Sequence, residues 1–146
     1  MADDLMDTQT SEVPEGFTPL PWHRGFGRQV GPLYDRLLPD GGYIRAFRVE
    51  DHHVNGMMNA HGGMLMTFAD MAWGHAVDPG EGFGWVTIRL VCDFLSGAAL
   101  GDWVEGNGHV IGVTDQVYTV RGRIWCGDRT LMTGTGTFKA VKRRDG

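Results

Sequence analysis

The longest apolar run in the chain extends from Met64 to Val77, interrupted only by Thr67, Asp70 and His75. A segment apolar on every face predicts a buried helix, not a surface one. The run is too short, and its flanks too polar, to span a membrane. Gly62 and Gly63 mark its first turn, and Asp78-Pro79-Gly80-Glu81-Gly82 its end, since glycine and proline terminate helices. Elsewhere the period shortens to two. An extended segment near Leu33–Leu38 leads through the turn Pro39-Asp40-Gly41-Gly42 into Tyr43–Val49, whose alternation predicts a strand, placed at a sheet edge. Val86, Ile88, Leu90, Cys92 and Phe94 share one parity, with Thr87, Arg89 and Asp93 on the other. Trp103–Val113, Gln116–Cys126 and Arg129–Val141 follow, separated by Thr114-Asp115 and by Gly127-Asp128, which fits a two-residue hairpin. The pattern predicts an α+β fold, a curved antiparallel sheet of about five or six strands wrapped round one long central helix. Gly106, Gly108, Gly112, Gly122, Gly134 and Gly136 recur at even spacings within those strands, which predicts a sheet that approaches the helix closely.

Composition changes this picture mainly at the N-terminus. The net charge of −5 equals the five acids Asp3, Asp4, Asp7, Glu12 and Glu15, so the remainder is neutral. Residues 1–15 are expected to form a disordered acidic tail, and residues 16–146 a single domain. Within it, residues 16–30 read as an arm: Phe17, Trp22 and Phe26 pack on the body, while prolines and glycines exclude a long helix. A neutral body argues against a nucleic-acid partner. The acidic start lacks the apolar region of a signal peptide, and Cys92 and Cys126 form no paired motif. The expected location is cytoplasmic, with reduced thiols.

The chemistry centres on the helix. Its first-turn N–H groups have no intrahelical partner and carry the positive end of the dipole. At Gly62 and Gly63 no side chain blocks a carbonyl oxygen from reaching them, which outlines an oxyanion hole. The glycines also have a structural reading, a tight entry into the helix. Asp70 offers a carboxylate able to attack a carbonyl or to act as general base on water, or else a buried structural cap. Gly62 and Asp70 are eight residues apart, about 12 Å along one helix. One carbonyl cannot touch both in a single chain. Two antiparallel helices related by a twofold axis would bring Gly62 of one protomer to Asp70 of the other, so a shared reaction implies a homodimer. His75 lies about 140° round the helix from Asp70, and the two form no same-face dyad. His61 is expected to hold the loop entering the helix. Asp51, His52 and His53 lack the spacing of a complete metal site, and none is expected. Neither a nucleophile elbow nor a phosphate-binding or dinucleotide pattern is present.

Asn55-Gly56-Met57-Met58-Asn59-Ala60-His61-Gly62-Gly63 followed by Asp70 resembles the HGG motif of hotdog-fold acyl-CoA thioesterases, most of all the PaaI-like group of phenylacetic acid degradation. Val86–Leu95, Gly101-Asp102 and Gly134–Phe138 extend the resemblance, which covers residues 30–141. It implies hydrolysis of acyl- or aryl-CoA thioesters to free acid and CoA, without cofactor or metal. Gly62 would polarise the carbonyl, the facing subunit's Asp70 would attack it or activate water, and Asn55 would orient that water or the Asp. Thr87 would sit near the nucleophilic water. The resemblance further implies two dimers joined in a homotetramer. His61, Gly63, Met64 and Arg129 are assigned to substrate binding, Met64 in an apolar pocket wall and Arg129 toward CoA phosphates. Met57 and Met58 depart from the usual small or hydroxyl residues after Asn-Gly. The alternative reading is a non-catalytic acyl-CoA-binding hotdog module, which would have no use for Asp70.

Overall fold

The structure, a computed structural model, describes residues 12–144. Most of the expected acidic tail, residues 1–11, lies outside the described residues. Its last residues touch the body: Arg48 donates to the Glu12 carbonyl, and the Phe17 N–H donates to the Pro14 carbonyl.

Strands β1 (Thr18–Pro19), β2 (Tyr34–Leu37), β3 (Tyr43–Arg48), β4 (Phe83–Phe94), β5 (Trp103–Thr114), β6 (Val117–Cys126) and β7 (Arg129–Lys142) form one sheet. Its order is β1-β2-β3-β5-β6-β7-β4, with every neighbouring pair antiparallel. Helix α1 (Gly25–Val30) belongs to the N-terminal arm, and helix α2 (Gly62–Gly74) is the central one. The strand count exceeds expectation by one. The extra strand is β1, whose two residues, one of them proline, carry no readable period. Strand β3 is not an edge strand: β2 pairs along one side of it and β5 along the other. Alternation in β3 cannot reveal this, because sheet position depends on remote partners.

Helix α2 is wrapped as its composition demands. Met64, Leu65, Phe68, Ala69, Ala72 and Trp73 are all buried. The helix stops at Gly74, earlier than the Asp78–Gly82 terminator. Ala76 and Val77 donate to the Trp73 and Gly74 carbonyls, so the last turn tightens into three-residue bonds. The strand glycines explain how closely the sheet approaches. Gly108, Gly122 and Gly134 stand directly opposite one another on β5, β6 and β7. A Cβ at Gly122 would lie 2.2 Å from the Trp73 indole, and one at Gly134 would lie 2.7 Å from it. This row is a trough for the indole. Gly106 faces Phe68 in the same way. Gly112 faces open space and Gly136 faces Phe138 and Leu90, so the expectation fails for these two positions.

The remaining turns follow local chemistry. Asp115 and Gln116, both at positive φ, join β5 to β6, one residue later than the expected Thr114-Asp115. Gly127-Asp128 joins β6 to β7, with Gly127 at φ 59°. Cys92 and Cys126 are free thiols, and burial pushes both upward in pKa, away from the reactive thiolate. Among the described residues, no helix is long and apolar enough to cross a membrane.

Candidate active site

Three contacts show that β4 runs antiparallel alongside α2. The Phe94 ring lies 3.6 Å from where a Gly62 Cβ would stand. Thr87 Oγ1 donates to Asp70 Oδ1 at 2.5 Å. The Trp85 indole presses onto Gly74. Strand β4 is also the terminal strand of the sheet, so this face of the helix lies beside an unpaired edge. Val86, Ile88, Val91, Phe94 and Leu95 are exposed along it. The apolar parity expected for β4 is interrupted by a bulge between Thr87 and Arg89. The extra residue re-aims the side chains on either side of it, which leaves Thr87 directed at Asp70 and Ile88 exposed.

Asp70 is thus half-buried and engaged with a hydroxyl, not orphaned in the core. At the other end of the functional stretch, His61 caps α2: its Nδ1 accepts the Gly63 N–H at 2.8 Å. The expected loop-holding role of His61 takes this form. The cap consumes the Gly63 donor. The Gly62 N–H has no acceptor among the described hydrogen bonds and carries the positive helix end. Of the two glycines, Gly62 is the free donor.

The other candidates separate into two groups. Met64 and Gly63 line a cavity of about 410 Å³ at the helix start, together with His61. Asn55 organises the loop before the helix: its Oδ1 accepts the Met57 and Asn59 N–H groups, which leaves its amide nitrogen to act elsewhere. Arg129 is held by the Gly97 carbonyl at 3.0 Å and Asp102 at 3.5 Å, so its guanidinium already has partners. Glu50, His52 and His53 lie close enough to hold an ion. Three of the four histidine ring nitrogens are committed to the backbone, however. His53 Nδ1 accepts the Glu50 N–H, and His53 Nε2 meets the Val30 carbonyl. His52 Nε2 meets the Gly31 carbonyl at 2.7 Å. The pair ties the end of α1 to the loop that enters α2.

The sequence reading missed the far end of α2. Tyr43 donates its hydroxyl to the Ala72 carbonyl at 2.5 Å and accepts the Gly108 N–H at 3.2 Å. Burial pushes its pKa up to about 12. Arg45 donates to the Met71 carbonyl and, through two nitrogens, to Asp35. His75 sits against the Tyr43 ring and 3.9 Å from Asp35, and burial lowers its pKa. No local pattern marks these residues as neighbours. A larger cavity, about 660 Å³ and bordered by Arg121, Arg123 and His109, opens on the outer sheet face, across the sheet from α2 and Asp70.

A curved antiparallel sheet wrapped round one long central helix defines a hotdog protein. The chain belongs to the Thioesterase superfamily, whose sequence pattern matches residues 57–133, and is a thioester hydrolase by class. A Pseudomonas aeruginosa protein that bears an esterase name, PA0474, is 32% identical over 130 residues, covering 86% of this chain and 96% of that protein. The BH2602 protein of Bacillus halodurans, solved with CoA, shares the fold with a TM-score of 0.73 and 20% identity over 98% of this chain and 89% of its own. PaaI of the E. coli phenylacetic acid degradation operon shares it with a TM-score of 0.68 and 22% identity over 79% and 83%.

Proposed function

We propose that the protein hydrolyses acyl-CoA thioesters to a free acid and CoA in a site shared by two copies of the chain. The observation that carries this reading is the division of groups along α2. Asp70, held by Thr87, stands at the open β4 edge, while the uncommitted Gly62 N–H lies eight residues away beside Phe94 at the same edge. The separation, about 12 Å, is too great for one thioester to span in one protomer. Strand β4 supplies the solution. If β4 pairs antiparallel with its own copy about a twofold axis at Val91, with Ile88 as the extra residue of the bulge, Thr87 stands opposite the partner's Phe94. Each Asp70 then approaches the partner's Gly62. A twelve-residue edge strand with exposed Val86, Ile88 and Val91 needs such a cover, since open apolar edges aggregate. Pairing of two such dimers into a tetramer remains compatible with this arrangement.

In this site the Gly62 N–H polarises the thioester carbonyl and stabilises charge on its oxygen. The partner's Asp70 removes a proton from water as the water oxygen bonds to the carbonyl carbon. Alternatively, Asp70 attacks and water later cleaves the mixed anhydride. Either route breaks the C–S bond and releases CoA thiol. Thr87 donates to Asp70 and fixes its orientation, and the Asn55 amide positions the water. A free-thiol assay with acyl- and aryl-CoA esters tests the reading: wild type turns over, and Asp70→Asn does not. Saturable acyl-CoA binding without turnover by wild type would make the protein a binding module instead. Val91→Lys, placed at the proposed twofold axis, is expected to yield monomers without activity. An active monomer by sedimentation would overturn the shared site.

A further inference from the structure

We infer that α1 of the N-terminal arm is the wall that selects the acyl group, and that it selects an apolar, uncharged acyl group long enough to reach Phe26. This inference rests on the thioester reading above and assigns the acyl side of its site. Phe26 is 66% exposed, an unusual position for a phenylalanine on a short helix. It lines the cavity of about 410 Å³ at the start of α2, together with Gly63 and Met64. That volume falls within the range of small-ligand sites. Gly63 directly follows Gly62, so an acyl group whose carbonyl meets the Gly62 N–H has this cavity as neighbouring space.

The lining determines what the cavity accepts. Phe26, Val30, Val54 and Met64 contribute its apolar surface. His53 commits both ring nitrogens to the backbone, at Glu50 and Val30, while His61 commits Nδ1 to Gly63 and His52 commits Nε2 to Gly31. No lysine, arginine or carboxylate lines it. A free carboxylate on the acyl group would enter without a lysine or arginine as counterion, at a desolvation cost. The same histidine bonds place α1. By holding the Val30 and Gly31 carbonyls, they fix the helix end and set Phe26 over the cavity.

The test uses two S-alkyl-CoA thioethers, S-ethyl-CoA and S-hexyl-CoA, with binding measured by calorimetry. Wild type is expected to prefer the hexyl analogue, and Phe26→Ala to lower the hexyl-to-ethyl preference about tenfold, with Phe26→Leu restoring most of it. Equal weakening of both analogues would indicate a merely structural helix, and an unchanged ratio or no wild-type preference would equally overturn the inference. In parallel, acetyl-, hexanoyl- and succinyl-CoA are assayed for hydrolysis, with hexanoyl-CoA favoured and succinyl-CoA disfavoured. A shifted binding ratio with no ester hydrolysed would sink the hydrolytic reading and keep the wall. Hydrolysis with succinyl-CoA favoured would sink the wall and keep the hydrolytic reading.

Discussion

The two ends of α2 are treated in opposite ways. At the C-terminal end, the protein answers the orphan carbonyls itself. Tyr43 bonds Ala72, Arg45 bonds Met71, and the following backbone bonds Trp73 and Gly74. At the N-terminal end, His61 takes the Gly63 N–H and leaves that of Gly62 without an acceptor. Unpaired helix-end groups cost stability when buried, so a fold that completes one end has the means to complete both. The difference separates an anchor from a tool. The finished end locks the helix to β3 and β5, and the unfinished end carries the donor and positive dipole that the proposed mechanism uses.

The sharpest way to break this comparison is to remove the chemistry while keeping the anchor. Asp70→Asn is expected to lower kcat by about 10²–10⁴-fold, the range of a lost general base, with folding preserved by circular dichroism. Asn55→Ala should cost less and Thr87→Ala least, about tenfold, because Thr87 acts through Asp70. The reverse order in the free-thiol assay would reassign these roles.

Loss of the anchor should do the opposite, harming stability before chemistry. Gly122→Ala drives a methyl into the buried Trp73 ring and should cost about 3 kcal/mol in urea unfolding. A stability equal to wild type would mean that the trough is not tight. Tyr43→Phe leaves the Gly108 N–H without its acceptor and Ala72 without its donor. It should cost about 1–2 kcal/mol with kcat nearly unchanged. A large kcat loss at full stability would show the two ends to be coupled.

The smallest effect is the pH response of the arm anchor. Burial lowers the His53 pKa below its ordinary 6.5, and burial lowers that of His75 in the same direction. The unfolded chain therefore binds protons more readily at both groups. Stability is complete above 6.5 and declines as pH falls from there toward the lowered folded values. The urea midpoint should be lower at about pH 5.5 than at about pH 7.5, with the arm loosening first by hydrogen exchange. An equal midpoint, or a higher one in acid, would contradict the buried neutral state of His53, whose Nδ1 must accept the Glu50 N–H.

Much of this was legible locally. The all-round apolar run of Met64–Val77 dictates a buried helix wherever it sits, since no face of it tolerates water. Period-two alternation and the Gly127-Asp128 turn dictate the long strands, because side-chain alternation and turn geometry are set by adjacent residues. The glycines signalled a close approach, and four of the six positions meet a residue of α2, while Gly136 meets only strand side chains and Gly112 faces open space. The motif residues Gly62 and Asp70 suggest the proposed chemistry by their own identities.

Tertiary structure alone decided which of these groups meet. That β3 is internal and β4 terminal depends on the pairing of segments far apart in the chain, and either strand reads the same way by itself. Thr87 reaches Asp70 across 17 positions because β4 lies along α2, and a bulge sets its direction. Tyr43 and Arg45 gain their roles from carbonyls near the end of a helix about thirty residues later, and Asp35 gains its role by accepting from Arg45. Sequence patterns report the environment each segment requires, namely water on one side and none on the other. They do not report the partner that supplies it, because many remote surfaces satisfy the same requirement and only packing selects among them.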